Sequence, residues 1–286
     1  MNLRCGRFVL DLQRVAVMGV LNVTPDSFSD AGAYFDHALA LERAHQMIAE
    51  GATIIDVGGE STRPGAAPVS TSEEIRRVLP VIEALAPQLD APVSVDTRKA
   101  EVARRAVAAG ASIINDTGGE DAVEDLTDTA AASGPDGVAV VVMHSRGTAE
   151  TMTSLTAYDD LVGQVAGYLG RRAESLKAAG VGPDRIVLDP GIGFAKTAGQ
   201  SLELLKRIGE LADLGFPLLA GTSRKSLIGA VLDVPTARRV YGTAATVAWA
   251  VAQRVQIVRV HDIEAMTQVV RMTEAIKAGG TPGEPT

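Results

Sequence analysis

Eight short apolar runs, rich in Val and Ile and spaced along nearly the whole chain, limit the fold more than any other feature of the sequence. They are Val15–Leu21, Thr53–Val57, Pro92–Val95, Ser112–Ile114, Val138–Met143, Arg185–Leu188, Phe216–Ala220 and Gln256–Val260. Their apolarity is continuous rather than alternating, which suits strands buried on both faces of a parallel sheet. Between them lie stretches of helical periodicity: His37–Glu50, a segment capped by Thr71 or Ser72, Arg98–Ala109, Asp121–Ala132, Tyr158–Ala179 and Ser201–Leu214. Glu73 and Glu74 fall in the first turn of the second of these, where the helix dipole favours anions. Eight strands alternating with helices over about 250 residues predict a (β/α)8 TIM barrel. An open doubly wound sheet is the alternative, and it usually has fewer strands. Leu3–Gln13 precedes the pattern and reads as a short N-terminal hairpin closing the barrel's bottom. Residues 1–278 thus form a single domain, and the Gly- and Pro-rich tail 279–286 is expected to be disordered.

Composition narrows the class of function. With 27 Lys and Arg against 35 Asp and Glu, the net charge of −8 offers no basic surface for nucleic acid. The single cysteine, Cys5, excludes a disulfide framework and any paired-cysteine metal or redox site. No apolar run approaches the 18 residues of a membrane span, and the N-terminus lacks a charged-then-apolar leader. These features predict a cytoplasmic enzyme acting on small molecules. The segment Gly242–Gln253 is small or apolar on nearly every face, whereas an outer barrel helix buries one side only. A homodimer is the expected cover.

Each apolar run ends in polar residues at its C-terminal side, the rim where barrel enzymes assemble active sites. The series is Asn22, then Asp56 with Glu60 to Arg63, Asp96, Asn115 with Asp116, His144, Asp189, Ser223 to Lys225, and His261 with Asp262. Arg259 stands inside an apolar run, where a charge requires a partner or a ligand. Gly221 to Lys225 and Arg259 to His261 combine backbone N–H groups, hydroxyls and cations in the strand-seven and strand-eight loops, a common phosphate position. Asp96, Asn115 and Asp189 offer carboxylates and an amide to a heterocycle with several N–H donors. Together they suggest a phosphorylated, nitrogen-rich heterocycle. For Asp116 and Asp262, a helix cap or turn is the simpler reading. Gly191-Ile192-Gly193 lacks the third glycine of a dinucleotide loop, since Lys196 takes its place.

The stretch Val17–Asp30 (VMGVLNVTPDSFSD) resembles the first signature of dihydropteroate synthase, and Asp56–Gly65 (DVGGESTRPG) resembles the second. Val95–Thr97, Ile114–Asp116, Leu188–Lys196, Gly221–Ser226 and Arg259–Asp262 continue the family's motifs in order, so the likeness runs from about Val15 to Ile263. It implies a transferase that joins 6-hydroxymethyl-7,8-dihydropterin diphosphate to p-aminobenzoate and releases pyrophosphate. By the resemblance, Asp96, Asn115, Asp189 and Lys225 hold the pterin, with Met143 and Phe194 lining its slot. Arg63, Arg259, His261 and Asn22 match the diphosphate end, where Asn22 also belongs to a Mg2+ site. Phe28, Thr62, Pro64 and Ser226 fall near the p-aminobenzoate pocket, which sulfonamides are expected to share. Asp96, Asp189, Lys225 and Arg63 are the implied catalytic residues. The family commonly reads Asn-Asp-Val-Ser-Gly-Gly after strand four; Asn115-Asp116-Thr117-Gly118-Gly119 is one residue shorter.

Overall fold

A computed structural model describes residues 1–24, 33–62, 65–120, 122, 125–134 and 136–279, with the side chains of 33–36 left aside. Three expected site residues, Phe28, Arg63 and Pro64, and the tail from 280 onward lie outside the described residues. The chain opens with an antiparallel hairpin, β1 (Asn2–Cys5) and β2 (Phe8–Asp11). Eight parallel strands follow: β3 (Ala16–Asn22), β4 (Ile54–Gly58), β5 (Val93–Thr97), β6 (Ile113–Asp116), β7 (Ala139–Met143), β8 (Ile186–Asp189), β9 (Leu219–Ala220) and β10 (Ile257–Val260). They are ordered β8-β7-β6-β5-β4-β3-β10-β9. The ring closes where the Leu188 N–H donates to Pro217 O at 2.9 Å and Leu188 bridges Leu218. This is the (β/α)8 barrel the apolar runs predict.

The helices are α1 (Ala33–Ala49), α2 (Thr71–Leu85), α3 (Ala100–Ala108), α4 (Thr127–Ala132), α5 (Leu161–Ala178), α6 (Ala198–Lys206), α7 (Ser226–Leu232), α8 (Val240–Ala252) and α9 (Ile263–Ala278). Ser70, rather than Thr71 or Ser72, caps α2, its Oγ accepting the Glu73 N–H at 3.2 Å. The stretch expected to be one helix over 201–214 divides: a capping box on Thr197 and Gln200 starts α6, and 3-10 turns continue to Gly215. Among the described residues, no helix is long and apolar enough to cross a membrane.

Alternation along the strands divides the apolar residues into two cores. Outward residues such as Val17, Ile55, Val95, Ile114 and Leu188 pack under the helices. Inward residues Met18, Ile54, Ile113, Val141, Val187, Leu219 and Ile257 fill the barrel and meet Leu3 and Cys5 from the hairpin. The hairpin therefore plugs the N-terminal end, as expected, and stacks an apolar floor beneath the opposite rim. Burial pushes the Cys5 thiol up to about 12, so it is an inert core residue. Because the plug lies at the end away from the polar rim, its loss should affect stability and spare activity. Leu3→Ala is expected to lower the unfolding free energy by ~2–5 kcal/mol, measured by urea denaturation, with turnover of the folded fraction unchanged.

Candidate active site

The period of two that places Met18 and Ile54 inside the barrel brings a different kind of residue inward near the strand ends. Asp56 on β4, Asp96 on β5, Asn115 on β6, Met143 on β7, Asp189 on β8 and Arg259 on β10 all follow that parity. Asp96 lies across from Asn115, and Met143 across from Asp189. All but Arg259 are buried, and Arg259 is mostly so. The barrel interior thus changes from hydrocarbon to ionic groups within one layer.

Arg259 organises that layer. Its Nε donates to Asp56 Oδ2 at 2.6 Å and its Nη2 to Asp96 Oδ2 at 2.6 Å. Asn115 Nδ2 donates to the same Asp56 oxygen at 3.2 Å, and Thr117 Oγ1 donates to Asp96 Oδ1 at 3.2 Å. The shortened loop after β6 therefore supplies a direct partner to the site through Thr117. Burial works against the Arg259 charge, but Asp56 and Asp96 more than offset it and hold the guanidinium above its ordinary range. Burial pushes Asp96 up to about 7 against the pull of Arg259, and Asp56 adds to the rise. Asp189 is raised by burial too, opposed by Lys225 and by the Gly191 N–H, which donates to its Oδ1 at 2.7 Å.

Lys225 reaches into the same space from the rim. Its Nζ donates to Ile192 O and lies 4.1 Å from the Phe194 ring centroid, a cation–π contact. Burial pulls its ammonium down to about 8, resisted by Asp189. Beside it, Ser223 Oγ joins the His261 backbone N–H at 3.2 Å and His261 Nδ1 at 3.0 Å. Asp262 pairs with Arg224, and Asp116 accepts the Gly118 N–H at 3.0 Å, so both serve local structure.

A cleft borders this layer at Asp96; Thr62, Asp96, Thr117, Ser145, Thr148, Met152 and Phe194 line it. Glu60 borders it and ties the chain after β4 to the rest: it pairs with Arg98 at 3.3 Å and with Lys99, which also pairs with Glu74. The Gly65 N–H donates to Ala149 O at 2.9 Å, joining the loops after β4 and β7.

The chain from 18 to 261 matches the model of the pterin binding enzyme family. It is 48% identical over 265 residues to the dihydropteroate synthase of a Synechocystis species, covering 92% of this chain and 91% of that one. The chain belongs to the dihydropteroate synthase family. Two solved structures of that family share its fold. The Yersinia pestis dihydropteroate synthase in complex with a sulfonamide drug has a TM-score of 0.89 and 43% identity, covering 97% of this chain and 100% of that one. The Burkholderia cenocepacia dihydropteroate synthase complexed with 7,8-dihydropteroate has a TM-score of 0.86 and 40% identity, covering 97% of each.

Of the residues that the family's motifs single out, Asp96, Asn115, Met143 and Asp189 lie side by side on neighbouring strands, Lys225 sits over the Phe194 ring, and Asp96 and Phe194 line the cleft. Thr62 lines it too, Asn22 and His261 stand on the rim, and Ser226 is exposed at the start of α7. Two groups were seen in the sequence without a role being assigned to them. Asp56 is the main counterion of Arg259, and its only signal was an acid amid the apolar run of the second strand. Lys196 and His144 form a buried pair at 2.9 Å, although their positions are far apart in sequence. Burial, with Lys196 and Arg146 adding to it, drives the imidazole down to about 2, so it is neutral. Its Nδ1 meets Lys196 Nζ, and its Nε2 lies 3.4 Å from Glu120 Oε1.

Removing the central cation should expose how the layer is held. Arg259→Met leaves buried carboxylates uncompensated, a loss of ~3–5 kcal/mol in stability. A carboxyl with a raised native value binds a proton that the unfolded chain does not hold between the ordinary range and about 7. Its contribution to stability therefore falls as pH rises through that window. Urea unfolding should show the Arg259→Met deficit large at pH 8 and smaller at pH 5.

Proposed function

We infer that this chain is a dihydropteroate synthase, the transferase of folate biosynthesis that joins 6-hydroxymethyl-7,8-dihydropterin diphosphate to p-aminobenzoate. The observation that carries the reading is the set of acceptor oxygens in the buried layer. Three acidic side chains, Asp56, Asp96 and Asp189, gather around Arg259 and Lys225, so the layer is rich in acceptor oxygens. Asp56 Oδ1 is buried with no hydrogen-bond partner among the described residues. Such a layer suits a ring presenting several N–H donors, and it suits positive charge developing on that ring. Asp96, Asn115 and Asp189 hold the pterin edge, while Met143 and Phe194 cover its faces.

The reaction breaks the bond between the pterin methylene carbon and the diphosphate oxygen, and pyrophosphate leaves with the bonding pair. The p-aminobenzoate nitrogen then forms a bond to that carbon and loses a proton. As the C–O bond lengthens, Asp96 and Asp189 stabilise the cation forming on the pterin. The leaving diphosphate is met by Arg63, His261 and Arg259. Arg259 can serve both ends, because Nε and Nη2 hold the carboxylates and Nη1 makes no hydrogen bond among the described residues. Phe28, Thr62, Pro64 and Ser226 form the p-aminobenzoate side and exclude water, which would otherwise trap the cation.

Mg2+ fits the donor set as a partner of the diphosphate. Among the described residues no group of three or more His, Cys, Asp or Glu side chains is placed to hold a metal ion. Asn22 stands at the rim with its Oδ1 facing Gly58 and offers one neutral oxygen, so the substrate's phosphate oxygens and water must supply the rest. When bound, the ion neutralises charge building on the leaving group.

The test is pyrophosphate release that requires both substrates. Lys225→Ala should lower turnover by about 100-fold or more while the fold is retained, read by circular dichroism. EDTA should weaken binding of the diphosphate substrate and leave binding of the bare pterin unchanged. Wild-type turnover in Lys225→Ala, or equal loss for both ligands with EDTA, would contradict these roles.

A homodimer completes the reading. The α8 sequence carries no charged residue; Thr243, Val247, Ala250 and Val251 are buried, while Tyr241 is 83% exposed and Trp249 45%. Met272 and Ile276 on the neighbouring α9 are exposed too. The hairpin lies at the barrel's base, nothing among the described residues covers this face, and a second copy is the partner we propose for it. Sedimentation at micromolar concentration should give a dimer, and Tyr241→Glu with Trp249→Glu should give a monomer; an unmodified protein that is monomeric refutes it.

A further inference from the structure

The segment from Asp189 to Lys196 folds back on itself in a way its backbone alone does not favour. Gly191, Gly193 and Ala195 have φ of 66°, 81° and 48°, in the left-handed region that an alanine seldom occupies. A Cβ added to Gly191 would lie 1.9 Å from His144 O. Such a conformation persists only where its surroundings determine it. Here side chains hold four of its carbonyls. Lys196 Nζ donates to Gly191 O at 3.1 Å and Phe194 O at 3.0 Å. Lys225 Nζ donates to Ile192 O, and Tyr158 Oη donates to Ala195 O at 3.0 Å.

Lys196 supplies two of these bonds and shares its remaining donor capacity with His144 Nδ1 at 2.9 Å. It is buried and does not line the cleft. Phe194, whose carbonyl it holds, does. Phe194 carries the ring over which Lys225 sits, and Gly191 donates its N–H to Asp189 Oδ1. We propose that Lys196 is a positioning residue of the pterin slot: its ammonium ties the segment's two ends together and so sets Phe194, Asp189 and, through them, Lys225, without contact to substrate. The proposal rests on the assignment of that slot to the pterin.

The experiment is calorimetric binding of 6-hydroxymethylpterin to the full-length protein carrying Lys196→Met, which keeps the length and loses the donors. The dissociation constant should rise by about tenfold or more, with circular dichroism unchanged. Because Lys196 acts through Phe194, the double variant Lys196→Met with Phe194→Ala should lose less than the product of the single losses. Wild-type affinity in Lys196→Met, or losses that multiply, would overturn the proposal. Should Lys196→Met fail to fold, Tyr158→Phe removes a single bond to the same segment. It should weaken pterin binding about threefold and again combine less than multiplicatively with Phe194→Ala; unchanged binding would overturn the proposal. Failure of the unmodified protein to bind the pterin would count against the functional reading instead.

Discussion

The ion pair network around Arg259 is the constraint on which the site depends. A parallel barrel buries the inner faces of its strands, and two acids on adjacent strands would repel across that space. Arg259 bonds to one oxygen of Asp56 and one of Asp96, reaching both from a third strand. Asn115 and Thr117 then occupy further lone pairs on the same carboxylates. A buried charge group is tolerated when its members are paired and hydrogen-bonded. With that network in place, the apolar filling of the barrel can stop one layer short of the rim. A polar floor for a ligand takes its place.

From this floor the rest of the site is built outward by loops whose anchors differ. Asp189 and Lys225 approach from neighbouring parts of the ring, joined by the segment that Lys196 holds. The loop after β4 is tied by Glu60 to Arg98 and Lys99 and by Gly65 to Ala149. The floor is thus set by buried bonds and the loop after β4 by contacts nearer the surface. This division suits a reaction in which the first substrate must be held rigidly while its leaving group departs. The second must enter and the product must leave. At the other end of the barrel, Leu3 and Cys5 close the apolar core and carry no polar group toward the chemistry.

The barrel itself was legible in the sequence, because strands buried on both faces need continuous Val and Ile and helices between them need a 3.6-residue stripe. The observed strands lie within a residue or two of the expected ones, except β9, where only Leu219–Ala220 keep regular pairing. The helix read over 201–214 is instead α6, started earlier by the capping box at Thr197, followed by 3-10 turns over Ile208–Leu214. The rim residues Asp96, Asn115, Asp189 and Lys225 were legible too, as polar groups ending apolar runs and as members of motifs in family order.

What the sequence determined by itself was therefore the fold, the rim and the family, each carried by patterns local enough to read along the chain. Tertiary structure alone decided how the charges are shared. Arg259 and Asp56 are separated by about two hundred positions, and Lys196 and His144 by about fifty; neither distance nor partner is encoded in local spacing. Pairing of β10 with β3, together with the curvature of the barrel, brings Arg259 within reach of β4 and β5. A charged side chain selects its partner by proximity in a medium of low dielectric, and that proximity exists only once the barrel has closed.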